Sequence, residues 1–334
     1  MRSFLRLALG IAISVVCVWL SMKDVRLAEV WASLRGANYA GFLAIMLVTV
    51  LGFWIRAVRW RWFIAAPRRL PTGSLFSATM IGFMANNVLP FRLGEFVRPW
   101  ALARRENLSN TTLLATIVVE RAVDMLTLLA IFGIALILHP IAGTSEAGRL
   151  VQWGGKVLVV LCAALTAFVI VAERNRALAE AVSRWATAPL PERLRARAAR
   201  MLGHFLDGLG LFRDVGRLAV VFATSFVMFL CFAVALGLGL WSLHIAVPWY
   251  AGLVMLVITA IGIMVPAAPG YVGTLNYACI VGLKLFGVGA AQSAPFGWFY
   301  FFSQWLPITA VGLYYLNREG LSLRSLGRVR VEAA

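Results

Sequence analysis

Three ionisable side chains, Glu120, Arg121 and Asp124, stand in the otherwise apolar run TIVVERAVDMLTLL. Each costs about 2.5 to 3.5 kcal/mol at the centre of a membrane helix, so each needs a partner. Arg121 and Asp124, at i and i+3, can pair locally, whereas Glu120 shares a helix face with Asp124 at i+4 and repels it. Glu120 therefore requires a cation from elsewhere in the chain, or a proton. The nearest cations in sequence are Arg92 and Arg98 of FRLGEFVRP, with Glu95 between them. Two chemistries fit this set: an ion-pair network that fixes helices against one another, or a polar site on a path through the membrane. Intramembrane ionisable groups favour the second. The other arginine-rich stretch, RAVRWRW from Arg56, reads as an interfacial belt of snorkelling Arg and Trp.

The elements that must position these groups follow from composition. The 334 residues carry 31 Lys+Arg against 14 Asp+Glu, a net charge of +17, yet 61% are hydrophobic and only 13% charged. A soluble domain would be about one quarter charged, and the basic residues lie between apolar runs instead of lining one surface. Those features exclude a soluble globule and a nucleic-acid binder, and predict an all-α integral membrane protein. The apolar runs supply about eight segments at roughly 20 residues per crossing. The four cysteines, Cys17, Cys162, Cys231 and Cys279, lie inside apolar runs without paired spacing, and imply neither disulfides nor zinc.

Charge then sets the topology. Six full spans are expected over about 7–22, 36–55, 113–138, 157–172, 218–243 and 295–317, and two further apolar segments are broken. The first, 71–105, contains NNVLPFRLGE, where Asn86, Asn87, Pro90 and Gly94 suit a turn more than a helix interior. The second, 248–287, contains VPAAPGYVG, with Pro266, Pro269, Gly270 and Gly273. Reading both as re-entrant helical hairpins places 24 Lys/Arg on the cytoplasmic side and 4 outside, with both termini cytoplasmic. Residues 1–317 then form one polytopic domain, and 318–334 a cytoplasmic basic tail. The breaks at Pro90 and Pro266 lie 176 residues apart, about half the chain, as an inverted repeat with a midplane site requires. The loop 173–217 carries an amphipathic pattern from Leu194 to Phe212 with arginines between, suited equally to the anionic leaflet surface and to packing under the bundle.

Signatures of soluble enzymes are absent: there is no Walker loop, HExxH or nucleophile elbow, and His139, His204 and His244 do not cluster. No cofactor is expected. The returning arms of the two hairpins begin near Gly94 and Thr274, so each would offer a helix N-terminus to the midplane, and with Arg92 and Arg98 nearby the site suits a phosphate headgroup.

At these residues the sequence resembles the transmembrane domain of bacterial lysylphosphatidylglycerol synthases, a flippase-like region also found as a stand-alone protein. The resemblance rests on NNVLPFRLGEFVRPWAL, VERAVDMLTL and PAAPGYVGTLNYA, in the family's order and across most of the chain. It implies an inner-membrane protein associated with moving lipids or lipid-linked molecules, and puts Arg92, Glu95, Arg98, Glu120, Arg121 and Asp124 at the family's polar positions. Asn276 stands where many relatives carry Glu, and Tyr300 near where some carry a basic residue, which removes charge from the second half.

The leading expectation is a flippase-like transporter of an anionic or amphipathic lipid, of phospholipid, isoprenoid or hopanoid type, without enzymatic activity. The alternative is a membrane-embedded lipid-modifying transferase, or an accessory subunit of a lipid-biosynthesis complex. Expected substrate contacts are Asn86, Asn87, Arg92, Glu95, Arg98, Glu120, Arg121, Asp124, Gly270, Gly273 and Asn276. Membrane lipids are the expected partners, with a second copy of the chain or a lipid-biosynthesis enzyme as protein partner.

Overall fold

Pro90 and Pro269 each open a short 3-10 turn, and the two turns touch. A computed structural model describes residues 2–23, 25–64, 69–138, 215–265 and 268–323, with Val160 and Leu326. Every regular element among the described residues is helical: α1 (Arg2–Met22), α2 (Leu27–Arg35), α3 (Tyr39–Trp60), α4 (Thr72–Val88), α5 (Gly94–Glu106), α6 (Asn110–Leu138), α7 (Val215–Ser242), α8 (Ala251–Met264), α9 (Thr274–Lys284) and α10 (Ala290–Arg318). The expected span 157–172, the amphipathic stretch 194–212, Pro266 and most of the tail lie outside the described residues.

Local chemistry sets the helix ends. The Asn38 side chain accepts a hydrogen bond from the Ala40 N–H at 3.0 Å and opens α3. α4 stops at Val88 because Leu89 precedes a proline and is held extended, at ψ 146°. α5 ends on Asn107 in the left-handed conformation, at φ 56° and ψ 49°. Two helical stretches, Tyr39–Phe63 and Gly216–Ser242, are long and apolar enough to cross a membrane. α8 and α9, with 14 and 11 residues, reach only about 21 and 17 Å at 1.5 Å per residue, short of a core about 30 Å thick. The helix α2 was not anticipated; it carries an exposed Trp31 with Arg35 over its ring.

α3 and α7 run antiparallel along their length: Gly41 meets Ser242, Gly52 meets Phe232, and Arg59 meets Ser225. α10 runs antiparallel to α4, with Asn87 donating to Thr309 at 3.0 Å and Gly312 packed on Met84. Within each short pair the helices approach closely through glycine. A Cβ on Gly82 would meet the Arg98 Cβ at 2.6 Å, and one on Gly262 would meet the Ala278 Cβ at 2.5 Å. α1 braces the second turn, where Ala268 N–H donates to Ser14 Oγ at 2.8 Å.

Candidate functional site

Glu120 and Asp124 project from one face of α6, one turn apart. Facing them from α3 are Arg56 and Arg59, three residues apart, so each guanidinium spans both carboxylates. Arg56 Nη1 lies 3.1 Å from Glu120 Oε1 and 3.0 Å from Asp124 Oδ2. Arg59 reaches Glu120 at 3.1 Å and Asp124 at 2.7 Å, and also donates to Ser225 of α7. A third guanidinium, Arg98 of α5, sits 2.9 Å from Glu120 Oε2 and 4.0 Å from the centre of the Trp60 ring, whose N–H donates to Thr116 at 2.8 Å. Glu120, Arg59 and Arg98 are all at most 1% exposed. The carboxylate repulsion along α6 is thus answered by cations from two other helices.

This overturns the interfacial reading of RAVRWRW for Arg56, Arg59 and Trp60. The three side chains are buried because α3 packs against α4 and α7 and the side chains of its last turns reach across to α6, instead of emerging at a membrane surface. One of the two cations expected for Glu120, Arg98, is in place. Arg92 is not: its guanidinium lies 5.2 Å from the Tyr271 ring, in contact with the other turn.

A second, looser tier borders the first. Arg121 lies 3.6 Å from both Glu95 and Asp124, so its expected pairing with Asp124 is weaker than the contacts Asp124 makes to α3. Arg121, Glu95 and Arg92 line a cavity of about 200 Å³, together with Arg56 and Asn87. The rest of the wall is largely apolar and aromatic, including Phe53, Phe83, Phe232, Tyr300 and Trp305. The lining therefore combines cationic groups with surface that suits hydrocarbon.

The expected site residues divide by location. Arg92, Glu95, Arg121, Asn87 and Gly270 line the cavity; Arg98, Glu120 and Asp124 stand behind it in the buried network. Asn86 and Asn276 do other work. Asn86 Oδ1 accepts from the Gly94 N–H at 2.8 Å, and Asn276 Oδ1 from the Gly273 N–H at 3.1 Å. One N–H at the start of each of α5 and α9, where an anion was expected, is thereby capped from within the chain. Gly273, at φ 86°, faces Ser14 of α1 and not the cavity. Sequence reasoning missed Arg56 and Arg59 as site residues, and Tyr271, Gln304 and Trp305 as cavity wall. The i, i+3 arginine spacing opposite an i, i+4 carboxylate pair was the available signal for the first two.

Long apolar helices, a buried ion network and an amphipathic cavity define a helical membrane protein. The sequence pattern of the lysylphosphatidylglycerol synthase transmembrane region matches residues 7–312, and the chain belongs to that family. It is also similar to Glycosyltransferase AglD of Haloferax volcanii, at 28% identity over 129 residues, 38% of this chain and 21% of that protein. The match therefore spans about a fifth of that relative's length.

Proposed function

We propose that the protein moves an anionic or amphipathic lipid between the leaflets of the inner membrane, with the headgroup passing through the cavity between the two turns. The observation that carries this reading is the cavity itself, whose lining joins Arg92 and Arg121 to apolar and aromatic side chains. Helices α4–α5 and α8–α9 act as re-entrant hairpins entering from opposite faces, in a multi-pass chain with inverted repeats and both termini cytoplasmic. The shortness of α8 and α9 supports this arrangement, as does the charge bias. Taking Arg56, Arg59 and Arg98 out of the cytoplasmic count, because they are buried, leaves 21 basic residues against 4.

The test is reconstitution of the full chain in vesicles with a fluorescent anionic lipid in one leaflet. Wild type should accelerate its movement, and Arg121→Gln should slow it while unfolding at the same temperature. Movement equal to that of empty vesicles would overturn the reading. Single-cysteine labelling checks the topology: positions 73 and 107 should react from one side, and 246 and 287 from the other.

A second reading has one observation in its favour, the similarity to a protein named as a glycosyltransferase. Here the domain would present a lipid to a transferring enzyme, or modify it. Chemical conversion of the added lipid by the purified chain would favour that reading over transport.

A further inference from the structure

The cavity and the network behind it do not balance in charge. Among the described residues, the buried tier joins Arg56, Arg59 and Arg98 to Glu120 and Asp124, an excess of one positive charge. The cavity tier sets Arg92 and Arg121 against Glu95, an excess of one more. The donors are also underused. Arg92 Nε and both Nε and Nη2 of Arg121 are shielded from solvent without a hydrogen-bond partner, and the Arg121–Glu95 separation of 3.6 Å is longer than a hydrogen bond. In the buried tier the ion-pair distances are 2.7 to 3.1 Å. Arg56, Arg59 and Arg98 also keep unpartnered nitrogens, but all three are held in close ion pairs; Arg92 and Arg121, which line the cavity, are held by the buried carboxylates loosely or not at all, and the spare capacity for an anion is on them.

The two tiers together carry two positive charges in excess of their carboxylates, so the ligand that suits this site best brings two negative charges in one compact group. A phosphate diester brings one. A zwitterionic headgroup brings none. A phosphate monoester carries close to two above its second pKa of about 6, with three oxygens on one phosphorus that two planar guanidiniums can hold together. Tyr271 supports the Arg92 guanidinium from the side at 5.2 Å, and the apolar wall, with Phe232 and Trp305, suits the first part of a hydrocarbon chain.

We propose that the cavity selects a phosphate monoester dianion, seated between Arg92 and Arg121, and that Glu95 is a tethered anion competing with it for Arg121. The proposal deepens the lipid-transport reading by naming the headgroup, and rests on that reading for the ligand's being a lipid.

Binding is measured with the purified full chain in detergent at pH 8, using dihexanoyl phosphatidic acid and dihexanoyl phosphatidylglycerol as the monoester and diester probes. Wild type should bind the first at least about fivefold more tightly, near 1 kcal/mol. Arg92→Gln removes one charge and should bring the ratio close to one, mainly by weakening phosphatidic acid; Arg92→Lys should keep the preference. Glu95→Gln removes the internal competitor and should tighten both probes, phosphatidic acid more than phosphatidylglycerol, widening the ratio. Unfolding temperatures monitor folding in each variant. Equal wild-type affinity for the two probes, or a ratio unchanged in both Arg92→Gln and Arg121→Gln, would overturn the proposal. Inorganic phosphate is the third arm: displacement of phosphatidic acid at comparable concentration supports the same site with free phosphate as its source, and failure to displace it at a hundredfold excess assigns the site to lipid. Binding preference without movement in vesicles would defeat the transport reading alone, and movement without preference would defeat this inference alone.

Discussion

PFRLGE, residues 90–95, and PGYVGT, residues 269–274, occupy the two turns that meet beside the cavity. Each opens with proline in a 3-10 turn, and each turn's third residue is non-glycine at positive φ: Arg92 at 53° and Tyr271 at 61°. Glycine follows two residues later in both, with its N–H capped by an asparagine side chain, Asn86 from the preceding helix in one and Asn276 from the following helix in the other. The chemistry they carry differs. The first turn and its helix bring Arg92, Glu95 and Arg98, where the second brings Tyr271, Thr274 and Tyr277. A constant offset of 179 residues relates Pro90 to Pro269, Arg92 to Tyr271 and Gly94 to Gly273, which replaces Pro266 with Pro269 as the partner of Pro90. One backbone plan thus serves two purposes: the first half supplies charge, and the second supplies ring surface and a close-fitting wall.

That division can be broken by mutation, and the largest effect is expected where charge is buried. Arg98→Ala should destabilise the protein by about 3 to 5 kcal/mol because it strands the Glu120 carboxylate, while Tyr277→Phe at the matching place should cost about 1 kcal/mol or less. Thermal unfolding in detergent measures both, and comparable losses would mean that the halves are not specialised. Glu120→Gln should also destabilise, since three guanidiniums then lose a shared counter-ion; tolerance of that change would instead indicate that Glu120 carries a proton.

Next come the turn glycines. Gly94→Ala would press its new methyl on the Gly82 carbonyl, and Gly273→Ala would press on the Ser14 carbonyl of α1 from a backbone at φ 86°. Each should cost about 1 to 3 kcal/mol by overpacking. Similar losses in both would sharpen the shared plan, and a neutral Gly273→Ala would break it. The asparagine caps come third, with Asn86→Ala and Asn276→Ala each expected to cost about 0.5 to 2 kcal/mol through the orphaned glycine N–H. The smallest effect belongs to the partly exposed pair Arg105–Glu319, which ties the end of α5 to the end of α10. Arg105→Gln should change stability by less than about 1 kcal/mol, and less again in high salt.

The sequence by itself determined the helical membrane character, the family and the two broken segments, because hydropathy and proline–glycine placement act over short stretches of chain. The helix pairs 72–106 and 251–284 fall within a few residues of the expected 71–105 and 248–287 for that reason. The demand of Glu120 for a foreign cation was legible too, since i, i+4 repulsion is a property of one helix. What answered the demand was not legible. Arg56 and Arg59 look like membrane-flank arginines in any window centred on α3, and only the packing of α3 against α4 and α7, with the carboxylates of α6 in reach, buries them. Tertiary contact likewise decided that Arg98 is spent on Glu120 while Arg92 faces the cavity, although the two are six residues apart on one stretch of chain. Local patterns fix which segments become helices; the partner of a buried charge lies tens of residues away along the chain, and only the assembled fold selects it.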